Sequence, residues 1–144
     1  MRYIIVSLGI LLFFCQNSFS QDIDNNLIQA IIQVESGCNP NAYNPCSQAR
    51  GLMQITPIVR SEYLQFNKGC PQYYNSEDNI NMGYWYLLRL KDHYLKDKYT
   101  IERLLSAYNG GITRLRKLDY DVSRMPKETR DYVRKVMRIY QNAS

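Results

Sequence analysis

Residues 30–40 read AIIQVESGCNP. Counting back from Glu35, Ile32 lies three residues away, Ile31 four and Ile28 seven, the spacings that share one face of an α-helix. Asp24 stands where an N-cap belongs and Gly37 where a helix stops, so a helix is expected between them. Glu35 then falls on the apolar stripe rather than opposite it. A carboxylate taken out of water without a partner is costly. Desolvation and a place in the last turn both disfavour its charged form and raise its pKa. A carboxyl that holds its proton near neutral pH is what a general acid requires. Periodicity alone leaves a second reading open, a structural glutamate paired with an arginine or capping a loop.

Outward from this helix the chain alternates helical stripes with polar loops. CNPNAYNPCSQAR (38–50) and QFNKGCPQYYN (65–75) are loops by composition. A short helix is expected through GLMQITPIVRSEYL (51–64), with a bend or restart at Pro57. Ser76 opens the longest helix, with a stripe of Ile80, Tyr84, Leu87, Leu88, Leu90 and Tyr94. Thr100 caps a helix running to Tyr108 and ended by Asn109-Gly110-Gly111; a short one follows over 112–118, and a last one starts at Pro126. No stretch alternates as a strand does, and nothing repeats. The expected class is all-α.

The first twenty residues, with Arg2, an apolar run from Ile4 to Phe14 and Ser18-Phe19-Ser20 before Gln21, have the pattern of a cleaved secretory leader. The apolar run is short for a membrane span, so no stable membrane insertion is expected. A lipid anchor on Cys15 is the weaker reading, because Phe13 and Phe14 occupy positions that small residues fill in such signals. Residues 21–144 then form one domain with 17 basic and 13 acidic side chains, and from Ile101 onward ten Lys/Arg face five Asp/Glu. Such a bias suits an anionic partner or a solvated helix face. Of the four cysteines, Cys38, Cys46 and Cys70 remain after cleavage. Export permits disulfides, and one pair plus one free thiol is expected, with Cys38–Cys46 and Cys46–Cys70 both open. His93 is the sole histidine and no CxxC pair exists, which speaks against a metal site, H-E-x-x-H chemistry and a histidine-based triad. No Arg/Lys-aromatic motif supports nucleic-acid binding.

Four motifs carry a more specific signal: Glu35-Ser36, then ARGLMQITP (49–57), then LLSAYNGG (104–111), then KETRDYVRKVMRIY (127–140). In this order they resemble the catalytic domain of soluble lytic transglycosylases, a family related to goose-type lysozyme. The resemblance covers residues 24–140 and implies a lysozyme-like helical fold with a groove for glycan strands. It implies that Glu35 is the single catalytic acid and base, next to Ser36. Gln54 would face the groove, with Thr56 where a methionine is frequent. Tyr108 would place its hydroxyl near the glutamate and the sugar N-acetyl group, and Asn109 would shape the turn. Glu128 would line the groove, and Tyr132 would support it. Two positions depart from the family pattern: Asn44 stands where a serine is usual, and Gly110 replaces the alanine of A-Y-N-A-G, a change that looks tolerable.

The implied reaction needs no cofactor. Glu35 would protonate the oxygen joining N-acetylmuramic acid to N-acetylglucosamine, the N-acetyl group would stabilise the cationic centre, and the C6 hydroxyl would close a 1,6-anhydro ring. Two rivals share the residues: a hydrolytic muramidase using water, and a non-catalytic wall-binding protein. The expected setting is the periplasm, cell envelope or exterior, as a monomer on peptidoglycan. The layout of a lone domain behind a leader also resembles small transglycosylases serving secretion, conjugation or pilus machines.

Overall fold

The computed structural model describes residues 23–143; the expected leader and its cleavage site lie outside them. Six α-helices dominate: α1 (Asn25–Ser36), α2 (Pro57–Phe66), α3 (Ser76–Arg89), α4 (Ile101–Gly110), α5 (Ile112–Lys117) and α6 (Lys127–Ala143). The all-α expectation holds, and the caps explain where most of these helices begin. Asp24 accepts the Leu27 N–H at 2.8 Å, Asn75 the Asp78 N–H at 3.0 Å and Thr100 the Arg103 N–H at 3.2 Å, each satisfying an amide that has no partner within its helix. Gly37 closes α1 in the left-handed region, φ 59°.

The structure differs from the sequence expectation in three places. Residues 51–54 form no helix. They are a tight turn between Arg50 and Ile55, whose backbones exchange hydrogen bonds of 3.1 and 2.9 Å, and α2 starts only at Pro57, capped by Thr56. A small antiparallel ribbon joins β1 (Tyr43–Asn44) to β2 (Ala49–Arg50), too short to show an alternating pattern. The long helix loses α geometry after Arg89, continuing as a π-helical turn over Leu90–Leu95 and a 3-10 turn over Lys96–Lys98. The stripe of α3 is also rotated: Asn79, Met82, Gly83 and Leu87 are buried and Tyr84 is 40% exposed, because Gly83 lets the Met53 side chain lie against the helix.

The core joins Leu27 and Ile31 of α1, Met82 and Leu87 of α3, Leu104 and Leu105 of α4 and Val136 of α6, all fully buried around Met53 and Ile55. Each such side chain contributes roughly 1.5–3 kcal/mol. α6 packs on both α1 and α4. That packing brings the end of α1, the turn at 51–54, the end of α4 and the start of α6 to one side of the molecule. Cys38, Cys46 and Cys70 are exposed and free; the expected disulfide is not formed. They stand on separate segments: the end of α1, the loop of the β ribbon and the loop before α3.

Candidate active site

A groove runs across this side. Its outer part, about 580 Å³, is lined by Glu35, Asn44, Gln54, Asn109, Glu128 and Tyr132, among others. An inner part of about 210 Å³ adds Ser47, Ala49, Thr56 and Tyr108. Eight of the nine side chains expected from sequence therefore meet in one depression. The ninth, Ser36, does not: its hydroxyl turns back along α1 and donates to the Ile32 carbonyl at 3.1 Å.

Glu35 lies at the meeting of α1 with the groove. Its pKa is pushed up to about 7 by burial, against a smaller lowering by the Tyr132 hydroxyl. That hydroxyl is buried and faces the carboxylate short of full hydrogen-bond geometry. Among the described residues, no lysine or arginine contributes to this shift. Burial, followed by the repulsion of the Glu35 charge, raises both Tyr108 and Tyr132 well above the usual phenol range. Desolvation therefore favours the protonated form of Glu35, and the neutral Tyr132 hydroxyl offsets it only in part.

The inner wall is built by the turn at 51–54. Gly51 has φ 77°, and a Cβ there would lie 2.2 Å from the Asn79 amide nitrogen, so only glycine fits. Gln54 is itself left-handed, φ 49°, and donates its side-chain amide to the Gly51 carbonyl at 3.0 Å and the Ala42 carbonyl at 3.3 Å. The buried Asn79 ties the turn down: it accepts the Met53 N–H at 2.8 Å and donates to the carbonyls of Arg50 at 2.9 Å and Tyr73 at 2.8 Å. The Tyr108 hydroxyl donates to the Met53 carbonyl at 2.8 Å. Asn79, Met53 and Tyr108 thus form a chain of hydrogen bonds from the core to the groove.

Gly110 occupies a tight place at the end of α4. A Cβ there would meet the Met125 methyl at 2.5 Å and the Thr129 hydroxyl at 2.7 Å; those two side chains fill the room an alanine methyl would take. Sequence reasoning also missed Ser47, Ala49, Lys127, Asp131 and Lys135 in the lining, and Asn79 behind it. Some of this was legible. Asn79 shares the helical face of Met82, Gly83 and Leu87, and Lys127, Asp131 and Lys135 are spaced four apart on α6. Ser47 and Ala49 lie in a loop whose path no periodicity reveals.

Comparison with known proteins agrees with this fold. The family profile "Transglycosylase SLT domain" matches residues 14–130. The chain is 36% identical over 110 residues to the membrane-bound lytic murein transglycosylase C of Actinobacillus pleuropneumoniae, covering 69% of this chain and 30% of that protein. It is 35% identical over 130 residues to the protein of the same name from Histophilus somni, covering 81% of this chain and 35% of that one. Among solved structures, the 70 kDa soluble lytic transglycosylase SLT70 of Escherichia coli matches with a TM-score of 0.68 and 30% identity, over 83% of this chain and 21% of that one. The chain thus spans about a third of the length of the curated relatives it matches. The likeness to SLT70 extends to its lysozyme-like helical fold.

Proposed function

The chain belongs to the transglycosylase SLT-domain family, and from that premise we propose that it cleaves the β-1,4 bond between N-acetylmuramic acid and N-acetylglucosamine in peptidoglycan, with Glu35 as its only acid and base. The observation that carries this reading is the place of Glu35, half-buried at the groove, where desolvation raises its pKa to about 7. At neutral pH about half of such groups hold the proton that the glycosidic oxygen must receive. The N-acetyl group of the substrate stabilises the cationic carbon. Ionised Glu35 then takes the proton of the C6 hydroxyl as that oxygen bonds to C1, closing the 1,6-anhydro ring and restoring the acid. No water and no cofactor enter, and the intramolecular attack gains from proximity. Asn44, Gln54, Thr56 and Asn109 offer hydrogen bonds to sugar groups along the groove; Tyr108 and Tyr132 keep the acid oriented and dry.

The proposed setting is the cell envelope, reached by export behind the leader. The mass of the products tests the reaction. Peptidoglycan digested by the protein releases muropeptides one water lighter than hydrolysed ends. Ends carrying the added water would instead indicate a muramidase. Glu128, the carboxylate that shares both parts of the groove with Glu35, is the observation that favours that alternative. No release at all would leave a wall-binding protein.

A further inference from the structure

One helix supports two residues of the inner wall. Asn79, Gly83 and Tyr86 stand at positions i, i+4 and i+7 of α3, so they share a face. Asn79 accepts the Met53 N–H, and Gly83 leaves the space that the Met53 sulfur fills. Tyr86 lies outside both parts of the groove but reaches Tyr108: the two ring centroids are 5.7 Å apart, with the planes at 50°. Tyr108 is thus held at two points, its hydroxyl by the Met53 carbonyl and its ring by Tyr86. The support is itself tied down. Burial first, and then the charges of Glu62 and Tyr94, push the half-buried Tyr86 phenol up to about 12, with Arg89 opposing. Arg89 pairs with Glu62 at 2.6 Å and lies over the rings of Phe66 at 4.5 Å and Tyr94 at 5.5 Å.

We propose that Tyr86 is a positioning residue for the reaction, its ring fixing Tyr108 beside Glu35. The inference rests on the reaction proposed above. A single hydrogen bond from its hydroxyl leaves the Tyr108 ring free to pivot about the Met53 carbonyl. A second ring at 5.7 Å closes off that pivot, because tilted aromatic pairs hold a preferred geometry. Tyr108 and Glu35 both line the inner groove, and a misplacement of about 1 Å in such a site costs up to about 10²-fold in rate. The ring of Tyr86 makes this contact; its neutral hydroxyl is not needed for it.

The test measures muropeptide release from peptidoglycan, well below the melting temperature of each variant. Tyr86→Leu is expected to lower kcat about tenfold with KM within about twofold of wild type, the pattern of a lost transition-state interaction. Tyr86→Met, which fills the same space without a ring, carries the same expectation and serves where Tyr86→Leu does not fold. Tyr86→Phe keeps the ring and should keep kcat. Tyr63→Leu removes a ring that packs edge-on against Trp85 of the same helix, at 5.4 Å; it should lower the melting temperature and leave kcat unchanged. Added to Tyr108→Leu, Tyr86→Leu should cost less than about twofold more, since residues acting as a unit are not additive. An unchanged kcat in Tyr86→Leu and Tyr86→Met, or losses at 86 and 108 that simply multiply, would overturn the positioning role. So would a Tyr86→Phe as slow as Tyr86→Leu, or an equal fall in Tyr63→Leu, which would reduce the effect to stability. No release by wild type would overturn the proposed reaction itself, and the role of Tyr86 with it.

Discussion

Glu35 is kept near neutrality by lack of water, and this has a thermodynamic signature. Its folded pKa of about 7 lies above the ordinary 4.5, so the folded state holds the proton more tightly than the unfolded chain. The associated stability is fully present below pH 4.5 and is lost as pH rises to 7. The difference corresponds to on the order of 3 kcal/mol. Glu35→Gln, which cannot ionise, should therefore be more stable than wild type at pH 8 and about equal to it at pH 4. Urea unfolding at the two pH values checks this; equal curves at pH 8 would mean that Glu35 is solvated. Activity should follow the same ionisation, with kcat/KM falling about tenfold per pH unit above 7. The stripe that makes Glu35 unusual is visible in the sequence, since Ile28, Ile31 and Ile32 are all buried beside it. The position of its neighbour was not, because the Ser36 hydroxyl found a carbonyl in its own helix.

The turn at 51–54 shows what an element contributes when it has no regular structure. Its shape depends on Asn79, whose side chain serves three backbone groups. Asn79→Ala leaves these groups without partners in a buried place, at about 1–3 kcal/mol for each group that water cannot reach. A loss of about 3 kcal/mol in thermal unfolding is expected, together with lower activity, because Met53 carries the carbonyl that holds Tyr108. Wild-type stability in this variant would show that the turn stands without its tether. Gly83→Ala tests the same link from the helix side. Its methyl would meet the Met53 sulfur at 2.3 Å, and overpacking of this kind costs typically 1–3 kcal/mol. The expected result is a lower melting temperature and a lower kcat, despite the better helix propensity of alanine. The helices were legible because caps and stripes are local signals. Residues 51–54 depart from the helix expected through 51–64 because Arg50 and Ile55 close a hairpin across them.

At the scale of the molecule, helix packing turns four separated motifs into one groove. Their order along the chain revealed the likeness to a family; the charged stripe of α6 was legible in its spacing, but no local signal could show that it borders the groove. The same holds for the cysteines: their number implied a bond, while the fold sets them free on three exposed segments. The central claim is that one carboxylate does the chemistry in a groove lined by three, of which Asp131 is held by Lys127 and Arg134. Rates of muropeptide release by Glu35→Gln and Glu128→Gln, measured side by side on peptidoglycan, test it most directly. Glu35→Gln should lose about 10²- to 10⁴-fold in kcat, the range of general acid–base catalysis, while Glu128→Gln keeps kcat within tenfold of wild type and mainly raises KM. A comparable collapse in both variants would contradict the claim and identify a two-carboxylate hydrolase.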